Sequence, residues 1–432
     1  MQQESTPPNS IDSRHRKLAV AAGMASLLDS AAIISVGVGL ALWRDHYDLD
    51  VWLVGVLGSA LTLFIAVGAL VGGRLADLFG RGRLFSVTIL GYAVGALGVA
   101  FAPNAALLVT SVIVIGIAAG ADLPTSLAVL SERVPAGAQG RLVAFTHVMW
   151  TLGVVLATLL GFAVSGLGVF GVRLIFIFLA ALAVLTFAFR AFYPTFRELD
   201  DQAAATYAAD GVDVTSAIPV RTLLTNPSFR ATILLTTAFY LFFTLVANTF
   251  GQFKTYFLVT VSETTQTMAT AVSFATTLVG LVFTVVFTRI ADTKWRSRLF
   301  YVGVAVFTSC QLLIAATGGS VLAMMVAALV LYNISFPFVG EALYKIWTQE
   351  SFPVNARATV QGATMAVARF AAAGFALITP ALIDWSPSWL YVILAAFALT
   401  SGTVGAAIFR RQRQQGTVRF DDTPASTGST AQ

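Results

Sequence analysis

Charge is scarce in this chain. Only 11% of its 432 residues are Asp, Glu, Lys or Arg, against about 25% in an average soluble domain, which excludes a water-soluble globular protein. Lysine is rarest of the four, with only Lys17, Lys254, Lys294 and Lys345. The net charge of +5 therefore comes mainly from arginines dispersed between apolar runs. Dispersed basic residues do not form the clustered patch that nucleic-acid binding needs. One cysteine, Cys310, rules out an intrachain disulfide. With three histidines beside it, no metal-ligand cluster and no cofactor are expected. A nucleophile motif, a phosphate-binding glycine loop and an ATP-binding segment are all missing. An enzyme is thus disfavoured, and any work the chain does must draw on a gradient.

Hydrophobic residues make up 57% of the sequence. They form twelve runs, each long enough to cross about 30 Å of hydrocarbon as a helix: 18–43, 51–73, 84–102, 105–130, 142–166, 170–192, 231–258, 266–288, 299–317, 320–348, 358–383 and 388–409. The expected fold is an all-α membrane protein with twelve transmembrane helices in two pseudo-symmetric six-helix bundles. Residues 1–17 form a tail, 18–192 the first bundle, 193–229 a linker, 230–410 the second bundle and 411–432 a disordered tail rich in Ser, Thr, Gly and Gln. Met1 to Asp12 are polar and the first apolar run is too long for a signal h-region, so no cleaved leader is expected. Arg14, Arg16, Lys17, Arg74, Arg81, Arg83, Arg133, Arg141, Arg289, Lys294, Arg296, Arg298, Arg357 and Arg410 all fall on one side of this arrangement. The positive-inside rule then puts both termini and the linker in the cytoplasm of a multi-pass plasma (bacterial inner) membrane.

A short basic loop occurs twice. The first copy runs from Gly72 to Phe85 and the second from Arg289 to Phe300, with Arg74 and Arg289, Asp77 and Asp292, Arg81 and Arg296, and Phe85 and Phe300 each 215 positions apart. A second match pairs Glu132-Arg133-Val134-Pro135 with Glu350-Ser351-Phe352-Pro353. Two matches nearly in register indicate a parallel repeat, which is a transporter architecture.

Gly73-Arg74-Leu75-Ala76-Asp77-Leu78-Phe79-Gly80-Arg81 resembles the loop 2–3 signature of the major facilitator superfamily. Glu132 with Pro135, and Glu350-Ser351-Phe352-Pro353 with Arg357, resemble the cytoplasmic motifs of its sugar-porter branch. The resemblance covers residues 17–410 and is nearest to bacterial carriers of the myo-inositol and sugar type. Leu78 stands where the family usually has Arg, and Phe192-Tyr193-Pro194-Thr195 stands where sugar porters carry a Pro-Glu-Ser-type motif. The resemblance implies two bundles that rock about a central site, acting as a monomer on protons and a small solute within the bilayer. Gly73, Asp77, Gly80, Arg81, Glu132, Asp292, Arg296, Glu350 and Arg357 are the candidate conformational latch; a plain topological anchor is the alternative for the arginines.

Ionisable residues at membrane depth are functional candidates by default. Asp29 lies about 18 Å along the first span from Lys17 and is a candidate proton carrier, or else a structural acid beside Ser30. Sugar porters carry an acid in this span, but their usual arginine partner in the fourth span is replaced by Ser111-Val112-Ile113-Val114-Ile115. Asp122, in Gly120-Ala121-Asp122-Leu123-Pro124, resembles the Gly-x-Asp-x-Pro segment of proton–phosphate symporters. Glu341 lies at a matching depth in the tenth span, one turn from Lys345. Asp29, Asp122 and Glu341 are the proton-coupling candidates. His147, Asn248, Gln252, Glu341, Lys345 and Arg369 are the candidate solute contacts, although Glu341, Lys345 and Arg369 could simply neutralise one another. Gly251 is a candidate break in the seventh span, and Lys254 is expected to reach the headgroups. Three acids against two bases suit a proton-coupled neutral solute, so a sugar or polyol (myo-inositol-like) importer is expected. An organic acid or phosphate symporter is the alternative, and a non-transporting receptor on the same fold the alternative of another class.

Overall fold

The computed structural model describes residues 12–79, 81–134, 139–193, 196, 225, 227–290, 293–352 and 354–414. Twelve of its helices or helix pairs are long and apolar enough to cross a membrane, matching the twelve apolar runs in the sequence. The first bundle holds α1 (Ser13–His46), α2 (Val51–Phe79), α3 (Arg81–Ala100), α4 (Ala105–Glu132), α5 (Gln139–Ala163) and α6 (Gly168–Phe192). The second holds α7 (Pro227–Thr260), α8 (Gln266–Ile290), α9 (Trp295–Thr317), α10 (Leu322–Val339), α11 (Glu341–Ser351), α12 (Val354–Trp385) and α13 (Pro387–Gln414). Both ends of the described chain lie on one side, here the termini face, because an even number of spans separates them.

Local chemistry sets the helix ends. The Asp12 side chain caps α1 by accepting from the Ser13 amide, in a capping box completed by His15. Asn104 caps α4 by accepting from the Leu107 amide at 2.9 Å. Pro227 and Pro387 open α7 and α13, at the position where a missing N–H costs nothing. Large apolar side chains point outward all round, including Leu185, Phe192 and Phe101. Trp52, Trp385 and Trp389 ring the far face and Trp295 the termini face, all half or more exposed, as interfacial aromatics do.

The break in a membrane helix falls at Gly340, not Gly251. Helix α7 runs unbroken through Gly251, where the α1 side chain Ile34 packs alongside. The tenth span instead divides into α10 and α11. Pro337 lies inside α10 and removes a backbone donor one turn below the break. Gly340 is extended, at φ −105° and ψ −159°. A Cβ there would sit 2.7 Å from the Phe336 carbonyl and 2.9 Å from the Phe243 ring, so a larger residue would have to force the turn apart.

The two bundles are packed differently. In the first, α2 and α4 approach through Gly68, Gly72, Gly116 and Gly120, whose added Cβ atoms would press on the opposite backbone, the small-residue contact typical of membrane helices. In the second, aromatic rings fill the interior. Trp347 packs on Phe239, Phe300 and Phe409, and Tyr332 stacks on Phe250 at 4.2 Å.

Candidate functional site

The cores of the two bundles are joined by a ladder of polar contacts reaching the far face. Gln252 of α7 donates to the Gly58 carbonyl of α2 at 2.5 Å. Asn248 donates to Gln252 and accepts from Thr62 of α2. Gln266 of α8 donates to the Val38 carbonyl of α1 at 2.8 Å. At the rim, Arg44 donates to the Tyr256 hydroxyl at 2.7 Å and faces Asp384 at 3.5 Å. Asn248 and Gln252 therefore sit in the joint between bundles, about 12 and 18 Å along α7 from Tyr240.

Below that ladder, half-way along the helices, lies a charged cluster. Asp29 is the midpoint of α1 and Arg369 the midpoint of α12. They face each other across the bundles at 3.5 Å, with the Asp29 side chain 1% exposed and the Arg369 side chain 25%. Asp29 Oδ1 has no hydrogen-bond partner among the described residues. Ser30, beside it, donates to the Trp150 carbonyl of α5 at 2.7 Å, and Tyr92 of α3 donates to the Leu28 carbonyl at 3.0 Å. These two bonds pin α1 where it carries the carboxylate. His147 stacks flat against Trp150, ring centres 5.9 Å apart.

The break at Gly340 supplies the rest. Glu341 is the first residue of α11, where a helix N-terminus favours negative charge. It pairs with Lys345 at 2.7 Å, in the i, i+4 order that the spacing had suggested. His147 and Arg369 lie within electrostatic reach of Glu341, and Tyr240 of α7 stacks on Tyr344 at 4.4 Å beside them. Of the candidate residues, the structure thus assembles Asp29, His147, Glu341, Lys345 and Arg369. Arg369 pairs with Asp29 rather than with Glu341.

Asp122 stands apart from this cluster. It pairs with Arg190 of α6 at 2.7 Å, both side chains 2% or less exposed. Arg190 also donates to the carbonyls of Ala21 and Phe85 and to Ser126, and Thr88 and Ser126 donate to Asp122. The group ties α1, α3, α4 and α6 together, about two turns of α1 from Asp29 towards the termini face. Sequence reasoning missed Arg190, although an arginine within an apolar span was itself a signal.

Two further side chains differ from expectation. Lys254 turns inward and is buried, its Nζ 3.4 Å from Thr277 Oγ1. Its Cβ points toward the helix N-terminus, away from the headgroups on the far face. Arg296 grips Glu350 with two bonds, at 2.8 and 3.3 Å, and Gln412 joins them at 3.2 Å. These latch candidates link α9, α11 and α13 within one bundle. Gly80 and Asp292 lie outside the described residues, as do the side-chain surroundings of Gly73, Asp77, Arg81, Glu132 and Arg357. No group of three metal-ligating side chains occurs among the described residues.

Comparison with known proteins fits this architecture. Residues 19–376 match the family model described as Major Facilitator Superfamily. The minor myo-inositol transporter IolF of Bacillus subtilis is 29% identical over 385 residues, spanning 86% of this chain and 85% of that protein. The arabinose-proton symporter of Escherichia coli K12 is 32% identical over 156 residues, covering 36% of this chain and 33% of that protein. A partially occluded inward open structure of the xylose transporter XylE from E. coli superposes with a TM-score of 0.73 at 15% identity, covering 90% of this chain and 98% of that chain.

Proposed function

The chain belongs to the major facilitator superfamily, a family of carriers rather than enzymes, and from that premise we propose that it imports a sugar or polyol together with a proton. Alternating access moves the two bundles about the mid-membrane cluster. The observation that carries this reading is the Asp29–Arg369 pair. It is an acid–base contact at the centre of the membrane, made between bundles rather than within one. A proton on Asp29 weakens that contact, and so alters the joint on which the rocking motion turns. The names of the relatives, a myo-inositol transporter and an arabinose-proton symporter, support a polyhydroxylated solute.

The positive-inside rule places the termini face in the cytoplasm. The far-face ladder then closes the outer side. Glu341 and Lys345 keep 23% and 34% of their side-chain surface at mid-depth, which supports reading this as a state open on the inner side. His147, Trp150 and Tyr240 supply the aromatic and hydrogen-bonding surface that a sugar ring needs. Asn248 and Gln252 act as outer-gate residues, which meet solute when the ladder opens.

Thermal-shift screening of purified protein against myo-inositol, pentoses, hexoses and their acidic derivatives identifies the solute. Uptake in proteoliposomes under an inward proton gradient then tests the coupling. Accumulation abolished by a protonophore is the expected result. Accumulation that ignores the protonophore overturns the proton-coupled reading.

A further inference from the structure

The charge balance of the site changes once Asp122 is seen to belong to Arg190. The cluster then holds two acids, Asp29 and Glu341, against two bases, Arg369 and Lys345. Glu341 is committed to Lys345 at 2.7 Å. Arg369 is held only loosely, by one bond to Asp29 at 3.5 Å, although a guanidinium offers five donors in a fork matched to a carboxylate. Surface is distributed just as unevenly. The Asp29 side chain is 1% exposed, while Arg369 shows 25% and Lys345 34%. A solute entering between the bundles therefore meets the cations and Glu341, and not the proton-binding acid.

We infer that the transported solute is a polyhydroxylated monocarboxylate, of the uronic- or aldonic-acid class, and that Arg369 passes from Asp29 to its carboxylate when Asp29 takes the proton. This rests on the proton-coupled sugar–polyol reading above and narrows its solute. The physical reason is an unpaired charge. A proton on Asp29 leaves Arg369 and Lys345 to share the single charge of Glu341, one positive charge in excess in the middle of the membrane, which is costly. A neutral sugar leaves that cost in place; one carboxylate removes it. A single proton frees a single positive charge, so a monoanion fits the exchange and a dianionic phosphate does not. The N-terminus of α11, opening at Gly340 inside the membrane, adds positive potential on the same side of the site. The titratable groups facing the pair are Tyr92 from α3, His147 from α5, Tyr240 from α7, and Glu341 and Lys345 from α11. None of these supplies a second free carboxylate to replace Asp29.

The test compares molecules that differ in one group: D-glucuronate with D-glucose, and D-gluconate with D-glucitol. Uptake is measured in proteoliposomes holding the full chain, first under a pH gradient at zero potential and then under an inside-negative potential at equal pH. The acid of a pair should be preferred by about tenfold to a hundredfold, the fold-change of a charge-assisted hydrogen bond. Its uptake should follow the pH gradient and ignore the potential, because proton and monoanion together carry no charge. Arg369→Gln should erase the preference, whereas Arg369→Lys should reduce it while keeping its direction. Preference for the neutral member, uptake driven by the potential, or an unaltered preference in Arg369→Gln overturns this inference and leaves the sugar–polyol reading standing. Uptake of none of the four overturns this inference; the sugar–polyol reading falls only when myo-inositol and pentoses are refused as well.

Discussion

Among the described residues, two aspartate–arginine pairs lie deep among the helices, Asp122 with Arg190 and Asp29 with Arg369, and they are built to opposite ends. The first lies inside one bundle. Its arginine has three backbone or side-chain acceptors besides the carboxylate, and its carboxylate has two hydroxyl donors. The second lies between bundles and its two side chains share one long bond; each pair leaves one carboxylate oxygen unpartnered, Oδ2 of Asp122 and Oδ1 of Asp29. A charge this deep must be satisfied to be held still. The many-bonded pair fixes a bundle as a rigid body, and the singly bonded pair stands where the rigid bodies move.

Breaking each pair should therefore have opposite signatures. Asp122→Ala strands Arg190 as a buried charge and should cost about 3–5 kcal/mol of stability, read as a large drop in thermal unfolding temperature in detergent. Replacing both partners by apolar residues of similar volume should recover most of that loss. Asp29→Asn keeps the shape of the side chain beside a looser arginine. It should cost about 1–3 kcal/mol, less than Asp122→Ala because Arg369 keeps 25% of its side-chain surface and Arg190 keeps none, while solute accumulation disappears and exchange of labelled for unlabelled solute continues. Loss of stability equal to that of Asp122→Ala would remove the distinction between the pairs.

The contact between bundles can also be weakened at its outer end. Gln252→Leu removes the bond to Gly58, a loss of about 1 kcal/mol. It should raise the labelling rate of a cysteine placed at Ser59 several-fold by favouring the outward-open state. An unchanged rate would show that the ladder is not the outer gate. The Arg296–Glu350 pair can be weakened in the same way. Its arginine is 4% exposed and its glutamate 23%, so Glu350→Gln, which keeps one acceptor oxygen for Arg296, should cost about 1–3 kcal/mol in the same unfolding measurement, less than Asp122→Ala.

The fold was legible in the sequence because membrane spans announce themselves by length and hydropathy, and the repeated Arg74 and Arg289 loops marked the two halves. Asp29, Glu341, Lys345 and Arg369 were legible because a charge at membrane depth is conspicuous. Their pairing was not. Asp122 looked like a third free acid because Arg190 is 68 positions away and distance along the chain says nothing of contact between helices. The same limit hid the partner of Asp29, 340 positions on. The break went to Gly340 rather than Gly251 because a glycine alone does not interrupt a helix. Pro337, one turn below, removes the donor, and Phe243 crowds the turn. Their matching depth did not make Asp122 and Glu341 equivalent, since Asp122 pairs with Arg190 and Glu341 with Lys345. The repeat conserves the loops but not the partners.

The central claim is that Asp29 carries the coupled proton. Proteoliposomes containing a lumenal pH dye, given the solute identified by thermal shift, test it most directly. Wild-type protein should acidify the lumen as solute enters, and Asp29→Asn should take up solute down its gradient with no change in lumenal pH. Acidification of wild-type extent in Asp29→Asn would contradict the account.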